Sequence, residues 1–226
     1  MTDQEKERWG RIDVDPDPEL PKRDAWVERR LRRHFLFGDH AIIRPIWPNF
    51  TQIGPGIFRS SQPSPQRIRA LHRRGLRNVI NLRGANASNS FYYLENRVCH
   101  GLGINLLSIN FFPAGMLPPA DSLLMFHRFV SQAGGDVLFH CKSGADRTGL
   151  AAALYVLMFQ QNDIARARTQ LTWRHLHLRS RKMGIFDHVI DAFEEAHRKT
   201  GIDILDWIAT AYDPVRLRAS YAARID

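Results

Sequence analysis

Ten consecutive residues, His140-Cys141-Lys142-Ser143-Gly144-Ala145-Asp146-Arg147-Thr148-Gly149, constrain this chain more than any other stretch. An apolar lead-in, Val137-Leu138-Phe139, reads as a buried strand. The run from Gly149 to Met158 reads as a nearly all-apolar helix, which must therefore be central. A strand that turns through a glycine-bearing loop straight into a buried helix implies an α/β domain. Its loop should lie at the carboxyl end of a strand, where open sheets bind their ligands.

The same run has a chemistry. A loop closing onto a helix start directs several backbone N–H groups into one concavity, and the helix dipole adds positive potential there. Such a cradle suits a tetrahedral dianion. Gly144 permits the tight turn, and Arg147 offers a planar fork to two phosphate oxygens. Lys142, Ser143, Gly144, Ala145, Asp146, Arg147 and Thr148 are thus the expected phosphate-binding residues. The positive field favours Cys141 as a thiolate, below its free pKa of about 8.5. The thiolate is the nucleophilic form. Thr148 is placed to donate to that sulfur, and His140 either fixes the loop or packs beneath it.

The run resembles the active-site loop of the protein tyrosine phosphatase superfamily, on its dual-specificity side. Two upstream segments, Gly56-Ile-Phe-Arg-Ser-Ser-Gln-Pro-Ser and Val79-Ile-Asn-Leu-Arg83, are similar to those preceding the loop in bacterial and fungal atypical dual-specificity phosphatases. The resemblance extends from about residue 49 to about residue 205. It implies a three-layer α/β/α sandwich with a central, mainly parallel sheet, and a two-step mechanism through a cysteinyl phosphate with no metal and no cofactor.

That mechanism needs a proton for the leaving oxygen. The family pattern supplies it from an aspartate on a loop well upstream of the cysteine. This chain has Ile109, Asn110 and Phe111 there, none of which donates a proton usefully. Two carboxylates remain. Asp146 lies inside the loop, where the chain resembles the myotubularin and Sac-type inositide phosphatases, whose loop aspartate is thought to be the acid. Asp121, farther along a Pro-rich loop, is the second candidate and doubles as a helix N-cap. Cys141, Arg147 and Asp146 form the expected catalytic set, with Asp146 preferred over Asp121.

On the substrate side, Arg59 and Arg83 end strands on the side of the sheet that carries the loop, so each is a candidate contact to substrate or to Asp146. Arg174 opens a basic stretch, Trp173 to Lys182, which reads either as a solvated face or as one wall of the pocket. A cation at Lys142 suits a substrate with more than one phosphate, a residue type shared with phosphatases of phosphoinositides.

The 226 residues suffice for one α/β core, and 44% hydrophobic with 24% charged residues is ordinary for a globular protein. Residues 1–24 read as a flexible tail, 25–48 as a basic extension, 49–213 as the phosphatase domain and 214–226 as a peripheral segment. No stretch approaches the roughly 18 apolar residues of a membrane span. The amino terminus lacks a secretory apolar core, so a cytoplasmic location is expected. With only Cys99 and Cys141, a disulfide framework is excluded, and a reversible redox pair between them is a minor expectation. The net charge of +9 matches a phosphorylated anionic substrate. No nucleic-acid-binding pattern accompanies it, and the basic extension leaves a peripheral membrane contact open.

The function expected is a protein tyrosine or dual-specificity phosphatase. The alternative substrates are inositol phosphates, phosphoinositides or another phosphorylated small molecule or lipid. A catalytically inactive phosphate-binding module is the alternative from another class, and a rhodanese-type sulfur transferase is disfavoured by the Arg-Thr-Gly ending.

Overall fold

The computed structural model describes residues 15–37, 49–112, 116–178 and 183–225. Five strands form one sheet in the order β1-β2-β5-β3-β4. These are β1 (Thr51–Gly54), β2 (Ile57–Ser61), β3 (Leu76–Asn81), β4 (Asn105–Ser108) and β5 (Asp136–Cys141). Only the β1–β2 hairpin is antiparallel; β2–β5, β5–β3 and β3–β4 are parallel. β5, which carries the cysteine at its carboxyl end, is therefore the middle strand.

Strand alternation builds the layers. Val137, Phe139 and Cys141 of β5 join the larger core, and Leu138 between them joins the smaller one. β3 and β4 divide likewise, with Ile80 and Leu107 on one face and Val79 and Leu106 on the other. The larger core is closed by α4 (Ala120–Gln132), α5 (Asp146–Phe159), α7 (Ile185–Thr200) and α8 (Ile204–Thr210). The smaller is closed by α2 (Pro65–His72) and α3 (Ser90–Gly101). The result is the α/β/α sandwich expected, with the apolar helix α5 at its centre. α6 (Ile164–Thr169) packs so close to α5 that a Cβ on Gly149 would sit 2.8 Å from Leu171 Cδ2 and 3.1 Å from the Gln170 carbonyl oxygen.

Outside the sandwich lie α1 (Ala25–Phe37), in the basic extension, and α9 (Pro214–Ile225), in the peripheral carboxyl segment. The segment expected to be a loose tail is described from Asp15 onward, and that part is docked. Asp17 N donates to Leu106 O, its carboxylate accepts from Ser108 N and the Tyr92 hydroxyl, and Leu20 N and Pro18 O pair with the Asn96 amide. Composition suggested solvation, but the polar groups of α3 and of the β4 edge supply partners that composition does not reveal. No helix among the described residues is long and apolar enough to cross a membrane.

Candidate active site

The loop between β5 and α5 turns as its glycine predicts. Gly144 has φ +75°, and a Cβ there would stand 2.7 Å from Ser61 N and 2.8 Å from the Ser60 carbonyl carbon. The loop therefore lies directly on the end of β2, and only glycine fits at this point. Cys141, 2% exposed, ends β5 beneath it. Burial pushes the Cys141 thiol up, but Arg147, the Thr148 hydroxyl and the backbone amides of Thr148 and Gly144 together bring it below its ordinary value. Arg147 is half-buried in the first turn of α5, Ala145 is buried, and Ser143 and Lys142 are exposed.

Arg59 differs from its expected role. It is 0% exposed and faces inward, not toward substrate. Its Nη2 donates to Gly144 O at 2.8 Å, and its Nη1 donates to Gln170 O and Oε1 at 2.9 and 3.0 Å. Burial lowers its pKa to about 10 against the opposing pull of Cys141, so it remains a cation at neutral pH. Strand alternation turns Arg59 into the face covered by α5 and α6, where it holds the phosphate loop by a carbonyl.

A second buried network lies under the loop. His140 Nε2 stands 2.7 Å from Glu95 Oε1, on α3, and Gln62 Nε2 donates to the same oxygen at 2.8 Å. Gln62 N donates to Lys142 O, and Arg83 Nη1 donates to Gln62 Oε1 at 2.9 Å while stacking on the Phe91 ring. Arg83 is thus joined to the loop through Gln62. The upstream segment offers no acid, since Ile109 and Phe111 are buried beside the end of β3 and Asn110 caps the amide of Phe112. Asp121 is exposed in the first turn of α4, whose N-cap is Pro119, so the expected capping role is not taken.

Asp146 sits at the start of α5 with a side chain 31% exposed. His177 Nδ1 stands 2.8 Å from its Oδ1, and His177 Nε2 stands 2.8 Å from Asp187 Oδ2. Sequence reasoning passed over His177, placing it with its basic neighbours in the charge run Trp173–Lys182; the last four residues of that run lie outside the described residues. Nearby, the Asn49 amide donates to Ser143 O and His175 O and accepts from His175 Nδ1, tying the loop to the turn Trp173–His175. Burial, with help from Arg59 and Arg174, lowers His175 to about 4, so it is a neutral donor to Asn49. Arg174 is exposed on this turn. Cys99 and Cys141 belong to cores on opposite faces of the sheet, so the structure does not bring them together as a redox pair.

A family model described as "Tyrosine phosphatase family" matches residues 119–212. Human dual specificity protein phosphatase 26 is 28% identical over 123 residues, covering 51% of this chain and 54% of the relative. Dual specificity protein phosphatase TpbA of Pseudomonas aeruginosa is 29% identical over 114 residues, covering 50% and 48%. The chain thus spans about half the length of the curated relatives it matches. Among solved structures, TpbA superposes with a TM-score of 0.51 at 22% identity over 66% of this chain and 91% of that one. A phosphatase-like protein of Shewanella putrefaciens does so with 0.53 at 21% identity over 68% and 95%. At these identities the structural likeness establishes the fold.

Proposed function

We propose, from the premise that the chain belongs to the protein tyrosine phosphatase superfamily on its atypical dual-specificity side, that it hydrolyses phosphate monoesters through a cysteinyl phosphate. One observation carries the reading: a buried cysteine sits under a glycine-turned loop of amides, with an arginine and a threonine drawing its thiol toward the thiolate.

In the first step the Cys141 sulfur attacks phosphorus, the P–O bond to the leaving group breaks, and Asp146 gives the leaving oxygen its proton. Arg147 and the loop amides hold the equatorial oxygens, whose charge they match best at the transition state. In the second step Asp146, now a carboxylate, takes a proton from water as that water attacks phosphorus. The P–S bond breaks, freeing inorganic phosphate and the thiolate, which Thr148 stabilises as a leaving group.

Phosphotyrosine or phosphoserine/threonine in proteins is the leading substrate class, supported by the relatives' names. A second reading, a phosphorylated inositol or lipid headgroup, draws on the exposed Lys142 and on the rim formed by Trp173, Leu176 and Leu178, which are 74, 48 and 69% exposed beside Arg174. Such a rim combines apolar contact with cationic charge, as a headgroup above its acyl chains demands.

The test is release of p-nitrophenol from p-nitrophenyl phosphate by the wild-type protein and by Cys141→Ser, each with and without EDTA. Release unaffected by EDTA and lost in Cys141→Ser is expected. Phosphate or vanadate binding without any release would instead make the chain an inactive phosphate-binding module.

A further inference from the structure

His177 takes no part in holding phosphate or activating the thiol, yet it is completely buried and touches two carboxylates at 2.8 Å each. The three residues come from three separate elements. Asp146 begins α5, Asp187 lies in the first turn of α7, and His177 stands on the strap that follows α6. We propose that His177, oriented by Asp187, is the positioning residue that aims the Asp146 carboxyl at the reacting phosphate. The inference rests on the assignment of Asp146 to proton transfer made above.

The geometry defines the role. Both ring nitrogens face carboxyl oxygens: the Asp187 carboxylate only accepts, and Asp146 Oδ1 accepts while the proton to be transferred sits on Oδ2, so both nitrogens donate and the ring is an imidazolium. Burial opposes that charge, but the bonds to Asp146 and Asp187 outweigh it and raise the ring to about 9. The ring therefore keeps one orientation at neutral pH, with Asp187 fixing its far nitrogen. Its near nitrogen occupies Asp146 Oδ1, leaving Oδ2 for the substrate. A half-exposed aspartate at a helix start otherwise has several rotamers, and a misplacement of about 1 Å costs on the order of 100-fold in rate. The strap itself is fixed to the loop by Asn49, which bridges Ser143 and His175. The ring and the loop it serves thus share one anchor.

A purely structural ion pair would slow every substrate alike and weaken the fold, whereas a positioning residue acts only where proton transfer matters. The experiment measures kcat and KM separately for wild type, Asp146→Asn, His177→Asn and the double variant. The substrates are p-nitrophenyl phosphate, whose leaving group hardly needs a proton, and phenyl phosphate, whose leaving group does. His177→Asn should lower kcat on phenyl phosphate by about 10-fold and on the nitrophenyl ester by less than about 3-fold, with KM little changed. The double variant should be no slower than Asp146→Asn alone, because residues acting as a unit do not add. Equal losses on both esters, or a double variant showing the product of the single losses, would overturn the proposal. Vanadate binding confirms that each variant is folded. If His177→Asn does not fold, Asp187→Asn, which keeps the ring, carries the same expectations. If Asp146→Asn itself ignores the leaving group, the assignment of Asp146 falls and this inference with it. No turnover of either ester by wild type would instead defeat the phosphatase reading.

Discussion

The phosphate loop has two sides, built on different principles. Beneath it, Arg59, Gln62, Glu95 and His140 are all at most 2% exposed and bond to one another, to the loop, to Gln170 and to Arg83, with Arg59 Nε and Glu95 Oε2 left without a hydrogen-bond partner among the described residues. At its rim, Asp146, Arg147 and His175 are half-exposed, and Lys142 and Arg174 are exposed. Buried polar groups are costly unless satisfied, so the underside specifies one loop shape at the expense of adaptability. The rim keeps charge within reach of solvent and substrate, with His177 the one rim partner taken wholly out of water. The underside determines whether there is a site at all, and the rim determines what the site does.

The sharpest way to break this comparison is to damage the underside. Arg59→Met removes the donor to Gly144 O and Gln170 O, and each orphaned buried carbonyl costs about 1–3 kcal/mol. Turnover should fall by about 100-fold or more on every ester, regardless of leaving group, together with a lower melting temperature and weaker vanadate binding. A normal melting temperature with a loss confined to poor leaving groups would move Arg59 from the underside to the rim.

A smaller effect should come from pH. His177 has a folded-state pKa raised to about 9 from 6.5, so its charged form stabilises the fold. That contribution is fully present below pH 6.5 and is lost as pH rises through about 9. Between these limits the wild type should lose several degrees of melting temperature more than His177→Asn does. Parallel curves for the two proteins would show that the ring carries no charge in the fold.

The smallest effect concerns substrate choice. Lys142→Ala and Arg174→Ala should leave p-nitrophenyl phosphate turnover within about 2-fold, as surface charge changes usually do. On a polyphosphorylated inositol or a phosphoinositide, KM should rise several-fold. An unchanged KM on those substrates, with a rise on phosphopeptides, would favour the protein-directed reading.

Most of the rim and little of the underside was legible in the sequence: Lys142, Asp146, Arg147 and Arg174 stand out there, whereas Gln62 and Glu95 do not. The β5–loop–α5 unit follows from local pattern, because strand alternation, one glycine and an apolar helix are contiguous. Arg59 misled because alternation says that a side chain faces a core but not which helix covers that core. Its cover is Gln170, 111 residues away. His177 had no local signal: its partners lie 31 residues before it and 10 after it, on helices whose meeting depends on the finished fold. The surrounding arginines made its segment read as a solvated charge run. Asp17 shows the reverse, a residue in a polar, proline-broken segment that nonetheless finds three partners on the edge of the sheet.

The placement of the two cysteines on opposite faces of the sheet has a consequence for oxidative damage. A low-pKa thiolate is readily oxidised to a sulfenic acid, and enzymes with a second thiol nearby trap that state as a disulfide. Here the only other thiol in the chain, Cys99, lies behind the middle layer of the sandwich, pushed well up by burial and by Glu95 and Asp17. Recovery of an oxidised Cys141 therefore falls to its own backbone or to a thiol brought from outside, and the reducing capacity of the surroundings sets how long Cys141 stays a thiolate.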